Sequence, residues 1–266
     1  MTLQTSGDTS TSTLKFTPSS LQRPSGQFKA SLVGPPSASV TLQKSDDTET
    51  WTDYTAFTLS TGGTYDYTDT AATVAFRLYR VKTTTIFSCN VVGYQDFTAT
   101  GGVDKMIANP LNAVDNRVSA VLTGVPEGTF LYKLDEVNHV FLSNLYDLGA
   151  WSDPNMTLAP GEGVIFRTPS TVTKSFVGEV LQGYLITAVP SGLSIRASKF
   201  PKSDVIASLG FPIGNGDSIT RMINRSYTDY NYHNGIWTPS QPTIGIGESF
   251  WINKRTDWKQ NISVWP

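Results

Sequence analysis

Alternating apolar and polar positions dominate this chain, and their period is two. Ser39-Val40-Thr41-Leu42-Gln43-Lys44-Ser45 is the clearest run. Such alternation is expected of a half-buried strand, because successive side chains point to opposite faces. Asp46-Asp47-Thr48-Glu49 then reads as a turn, and Trp51-Thr52-Asp53-Tyr54 resumes the strand. Phe57-Thr58-Leu59 and Thr64-Tyr65-Asp66-Tyr67 flank a Gly62-Gly63 turn, and Phe76-Arg77-Leu78-Tyr79-Arg80-Val81 closes the unit. Short strands punctuated by turn residues predict an antiparallel sandwich over residues 29–88.

Beyond it the pattern occurs twice. Gly149-Ala150-Trp151-Ser152-Asp153-Pro154 runs on to Pro160-Gly161-Glu162-Gly163-Val164-Ile165-Phe166. Gly235-Ile236-Trp237-Thr238-Pro239 runs on to Gly247-Glu248-Ser249-Phe250-Trp251-Ile252. The tryptophans stand 86 positions apart (237 − 151), as do the glutamates (248 − 162). The spacing predicts two tandem repeats, 89–180 and 181–266. Each opens with strands, Asn90 to Tyr94 and Val180 to Leu185. Each then carries one short helix, Val118 to Leu122 before Gly124 and Asp204 to Leu209 between Ser203 and Gly210, where Ser is a favoured N-cap and Gly a favoured terminator. Strands around Phe130–Leu134 and His139–Leu142, and around Ile219–Ile223 and Tyr227–Tyr232, follow in turn. The fold class expected is mainly β: an immunoglobulin-like sandwich followed by two tandem β-rich repeats. With no Pro- or Ser-rich linker near Gly178-Glu179-Val180, the repeats are expected to form a rigid pair.

Residues 1–28 are rich in Thr, Ser, Gln and Gly, with Leu3, Leu14, Phe16 and Leu21 as their apolar anchors. Such an arm needs a surface to lie on, since ordering costs about 1–2 kcal/mol per residue. That surface is either the chain's own domains or a neighbouring subunit.

Two resemblances follow from these residues. Thr41-Leu42-Gln43-Lys44-Ser45, Trp51 and Tyr79-Arg80-Val81 resemble an immunoglobulin-like or fibronectin-III-like module of the kind found in phage virion proteins and in exported proteins of Verrucomicrobia-type bacteria. Ile107-Ala108-Asn109-Pro110-Leu111, Leu158 to Gly163 and Phe176 to Gly183 resemble a tandem repeat of uncharacterised exported proteins of Verrucomicrobia and Planctomycetes, over about residues 90–266. The second resemblance implies a fold unit and a surface location, and no activity. The N-terminus, Met1-Thr2-Leu3-Gln4-Thr5-Ser6-Gly7-Asp8, does not read as a signal peptide, which sets it apart from that family.

Composition narrows the function. Charged residues make up 16% and the net charge is −2, with no run of Lys or Arg, so a nucleic-acid partner is not expected. No stretch of about 18 apolar residues is present, so no membrane-spanning helix is expected. Cys89 is the single cysteine, which excludes an intrachain disulfide; among Phe87, Val91 and Val92 it reads as a small buried hydrophobe. His139 and His233 lack partners at metal-ligand spacing. Asp46-Asp47-Thr48-Glu49 lacks the spaced ligands of a calcium loop. No nucleophile elbow, phosphate loop or zinc motif occurs, so neither a cofactor nor a catalytic set is expected.

Three features remain. Glu162 and Glu248 could be paired carboxylates, but a turn in which each Glu accepts backbone N–H groups accounts for their duplication. Trp151 and Trp237 could stack on sugars, or plug the core. Tyr227, Tyr230 and Tyr232, beside Trp237, are the aromatic cluster best suited to a ligand, against the alternative of a packed sheet face. These observations lead to the expectation of a non-enzymatic structural protein on the outside of an assembly. First comes a phage virion surface, decoration or tail-associated component that assembles with itself or other particle subunits. Second comes a secreted bacterial cell-surface or matrix protein with an adhesive, glycan-binding role.

Overall fold

A computed structural model describes residues 13–223 and 225–264. The chain is mainly β, built of several antiparallel sheets with almost no helix. Strands β1 (Lys15–Phe16), β2 (Phe28–Val33), β3 (Ser39–Ser45), β4 (Thr52–Thr58), β5 (Thr64–Asp69) and β6 (Phe76–Lys82) form the N-terminal part. Then come β7 (Val92–Ala99), β8 (Asp104–Ile107), α1 (Val118–Val121), β9 (Thr129–Asp135), β10 (Val140–Asp147), β11 (Ala150–Trp151), β12 (Val164–Arg167) and β13 (Val172–Glu179). The last stretch holds β14 (Gly183–Val189), β15 (Leu193–Ala197), β16 (Asp204–Val205), β17 (Ser218–Ile223), β18 (Ser226–His233), β19 (Ile236–Thr238), β20 (Thr243–Ile244), β21 (Ser249–Asn253) and β22 (Thr256–Ile262).

The N-terminal part packs sheet β1-β2-β5 on sheet β13-β7-β6-β3-β4. Leu14, Phe16, Phe28 and Leu32 meet Leu42, Tyr79, Val81 and Tyr94 in its core. Strand β6 lies between β7 and β3 and is buried from Phe76 to Val81. Tyr79 and Val81 face the sandwich core, whereas Phe76 and Leu78 join a second cluster behind it. The sheet therefore runs across residue 88 into the first repeat. Instead of the two expected strands, residues 52–58 form one, whose pairing with β3 shifts register between Leu42 and Gln43. The expected arm lies on the chain's own sandwich from residue 13 onward: Leu14 and Phe16 are buried and β1 pairs with β2. Its residues 1–12 lie outside the described residues.

The two repeats carry one topology. Sheet β11-β10-β9-β12-β8 in the first has the same strand order as β19-β18-β17-β21-β15 in the second. Strands β7 and β13 correspond likewise to β14 and β22. The shared spacing at the Trp and Glu positions conceals two compensating changes. Gly128 and Gly216, whose N–H groups reach the carbonyls of Tyr146 and Tyr232 at 2.9 and 2.8 Å, are 88 positions apart (216 − 128). Between β9 and β10, Asp135 pairs with Val140 and leaves four positions (136–139) to the turn. Between β17 and β18, Ile223 pairs with Ser226 and leaves two, which restores the spacing.

One expected helix is absent. Asp204 and Val205 pair with Ile244 and Thr243, leaving a turn in which the Leu209 N–H reaches the Val205 carbonyl at 3.2 Å. A segment this short has no helical stability of its own, so pairing with β20 decides its shape. Cys89 is exposed rather than buried. His139 and His233 are both exposed.

Candidate functional site

The duplicated Gly-Glu turns, at Gly161-Glu162 and Gly247-Glu248, are the place to begin, because they meet. In the first, the Ala159 N–H donates to Glu162 Oε2 at 2.7 Å and Lys133 Nζ to Oε1 at 2.8 Å. In the second, the Gly245 N–H donates to Glu248 Oε2 at 2.9 Å, while Arg221 Nε and Nη2 hold the carboxylate at 2.7 and 2.9 Å. Each Glu thus closes its own turn and pairs with a cation from the strand beside it. Burial alone would raise the Glu162 carboxyl, but the hydrogen bond and charge of Lys133, with the Ala159 N–H, hold it below the usual range. The turn reading of this motif is what the geometry contains.

The same turns join the two halves. The Gly161 carbonyl accepts the Ala197 N–H at 3.2 Å, and the Gly247 carbonyl accepts the Ala108 N–H at 2.8 Å. Each bond repeats the other with the repeats exchanged, which is the signature of a two-fold contact. A Cβ on Gly163 would lie 2.4 Å from Cβ of Ser249, its own counterpart. Met106, Ile165 and Ile195 fill the seam, flanked by Tyr132, Leu134, Met222 and Trp251. Met106 pairs with Ile165, and Ile195 with Trp251, at corresponding ladder positions. The repeats therefore pack on each other through equivalent faces, like two subunits of a dimer on one chain. The longer first hairpin adds a strap: Glu136 pairs with Arg196, and the Phe141 ring meets Trp251 edge-on at 5.8 Å.

A cleft of about 220 Å³ opens beside the seam, where Lys133, Glu136 and Glu162 of the first repeat face Thr187, Arg196 and Lys199 of the second. Sequence reasoning missed all of these except Glu162. They come from distant stretches with no shared motif, so no spacing could have marked them.

The aromatic candidates do not form one site. Tyr230 is buried beneath the Arg221 guanidinium, 5.8 Å from its ring centroid. Tyr232 is half-buried and its ring lies 5.2 Å from that of Trp237. Tyr227 is on the opposite face, 55% exposed, across the ladder from Met222. Trp151 is buried and donates Nε1–H to the Leu122 carbonyl at 3.1 Å, whereas Trp237 packs half-buried at the rim of the second core. Among the described residues, no three His, Cys, Asp or Glu side chains cluster to hold a metal ion. No helix among them is long and apolar enough to cross a membrane.

No family model matches the chain, and no curated protein does. The two resemblances therefore rest on the motif residues alone. One solved structure, the crystal structure of a tetra-tandem repeat in the extending region of a large adhesion protein, is weakly similar. Its TM-score is 0.24 at 11% identity, covering 94% of this chain. The chain spans 66% of that structure's length. A TM-score of this size decides neither fold nor function.

Proposed function

We propose that this chain is a non-enzymatic structural module of a secreted bacterial cell-surface or matrix protein, an immunoglobulin-like sandwich carrying two locked tandem repeats in an adhesive role. One observation carries this reading: the motif that the repeats share is spent on the seam between them. Its carboxylates each serve a turn and a cation, which leaves them engaged in scaffold contacts. Its glycine carbonyls accept backbone hydrogen bonds across the two-fold, Gly161 from Ala197 and Gly247 from Ala108. A duplicated unit whose most distinctive motif locks two copies together is suited to a rigid spacer or display element.

A phage virion decoration is the second reading. Strand β4 favours it: an outer strand of its sheet, with Thr52, Asp53, Thr55, Ala56 and Thr58 exposed, it could pair with a particle subunit. Immunogold labelling of the producing organism separates the two. Label on the outer surface or matrix is expected. Label confined to virus-like particles would move the chain to the second reading, and label in the cytoplasm alone would overturn both. Polysaccharide turnover that Glu162→Gln or Glu248→Gln abolishes would remove the non-enzymatic part.

A further inference from the structure

The seam is two-fold, but the cleft beside it is not. Gly161 and Gly247 hold equivalent places, and each is met differently. At Gly247, Gln95 Oε1 stands 2.7 Å from where a Cβ would be, so a side chain closes that side. At Gly161 the corresponding approach comes from Lys199 Cε at 2.9 Å and Thr187 Oγ1 at 3.1 Å, which places those two atoms within about 6 Å of each other. Thr187, opposite Trp258 in its ladder, brings a hydroxyl to this side, where Gln95 brings an amide oxygen to the other. The open cleft is therefore a departure from the scaffold that the two repeats share.

Its charges do not cancel. Lys133 gives three hydrogen bonds, to the Thr157 carbonyl, Thr157 Oγ1 and Glu162. Arg196 holds Glu136 and also donates to the carbonyls of Ala188 and Ile195. Both carboxylates in the cleft are thus matched by a cation. Lys199 is left over, with one bond to the Ile186 carbonyl at 2.7 Å. Burial lowers its ammonium from the ordinary lysine range, and the charge of Glu162, already bonded to Lys133, opposes this only in part. Thr187 is 7% exposed, and its Oγ1 is buried without a hydrogen-bond partner. A buried hydroxyl without a partner destabilises the free protein, so a ligand that reaches it gains what the free protein lacks.

We propose that this cleft binds a carboxylate carried on a single sugar ring, a hexuronic-acid residue, with Lys199 Nζ on one oxygen and Thr187 Oγ1 donating to the other. The unmatched cation selects a single negative charge, and the hydroxyl beside it supplies a second, neutral donor. The volume of about 220 Å³ is below the roughly 300–1,000 Å³ of drug-sized pockets, which suits one ring rather than a longer ligand. Leu134, Pro160 and Ile186 line the cleft with the apolar atoms that the C–H face of a sugar requires. This assignment rests on the surface reading above and names its ligand.

The test is titration of the full chain, followed by amide NMR and calorimetry, with galacturonate, galactose, acetate and a glutamate-containing peptide. Galacturonate should bind at least ten-fold tighter than galactose and shift the amides of Ile186 to Ala188 and of Lys199. Lys199→Met and Thr187→Val should each weaken it about ten-fold with no change in melting temperature. Equal binding of acetate would remove the ring from the proposal, leaving a plain carboxylate site. Tighter binding of the peptide would replace the sugar by a protein ligand. Absence of binding, or binding that neither substitution alters, would overturn the site altogether. Retention of the wild-type chain on isolated cell-surface polysaccharide is measured in parallel. Retention without galacturonate binding sinks the cleft alone, whereas galacturonate binding without retention sinks the surface reading alone.

Discussion

At the scale of single residues, Asp69 shows what a buried charge does here. It is 2% exposed, and its carboxylate accepts from Tyr79 Oη at 2.6 Å, Tyr54 Oη at 3.0 Å and the Ala71 N–H at 2.9 Å, with Arg77 Nη1 at 3.3 Å. Burial would raise its pKa, but these donors and the Arg77 charge outweigh it and hold the group below its ordinary value. A depressed folded pKa stabilises the protein fully above the unfolded value of about 3.9, and that contribution is lost as pH falls through the folded value. Asp69→Asn should cost about 3–5 kcal/mol at pH 7, the usual range for breaking a buried pair. Urea denaturation at pH 7 and at pH 3 checks this, and the gap between wild type and variant should narrow at the lower pH. Little of the network was legible beforehand. Asp69 closes a strand of ordinary alternation, and its side-chain partners Tyr54, Arg77 and Tyr79 lie on other strands. Cys89 shows the converse, since its apolar neighbours in sequence suggested burial and its surroundings in space do not provide it.

At the scale of elements, turn chemistry was legible and helix content was legible by half: the first expected helix is α1, whereas the second is not formed. Gly210 does terminate a turn with positive φ (76°), as expected, but the residues before it are divided between a two-residue ladder and that turn. The Gly-Glu-Gly motif was legible as a turn. Its second glycine has a further cause: on Gly163 a Cβ would lie 2.4 Å from Ser249 Cβ and 2.5 Å from Ile195 Cγ2. Gly163→Ala should therefore destabilise the chain by about 1–3 kcal/mol through overpacking. Ser249→Gly in the same chain should recover part of that loss, because it removes the atom that clashes. Thermal melts of the two single variants and the double variant check this. Strict additivity of the two single effects would show that the seam does not bring these positions together.

At the scale of the whole molecule, one cluster ties the three parts. Phe76 and Leu78 come from the sandwich, Val91, Leu111 and Val180 from the first repeat and its end, and Ile262 and Val264 from the last residues described. Arg80 Nη1 donates to the Val264 carbonyl at 2.7 Å, across 184 positions of sequence. Calorimetry should show one cooperative transition rather than three. A chain cut after residue 180 would uncover Met106, Ile165 and Leu111, and should bind a hydrophobic dye and associate. Removal of residues 1–28 should unfold the sandwich, because Leu14 and Phe16, at 1% and 0% exposure, leave with the segment. A folded, dye-silent chain after either cut would count against the shared core.

Local patterning along the chain was enough to show where most strands run, that a unit is duplicated, and which residues make the turns. These properties are set over a few neighbouring residues: alternation decides which side of a strand can be buried, and glycine decides where the backbone can turn. The tertiary structure alone decided which faces meet. Contacts such as Gly163 with Ser249, or Lys199 and Thr187 beside Gly161, require two sheets to pack at one angle and one register. No local rule carries that information, because the energy that selects it comes from burying two distant apolar faces against each other. The cleft is a product of that packing, and its unmatched lysine and hydroxyl became a site only when the repeats closed on one another.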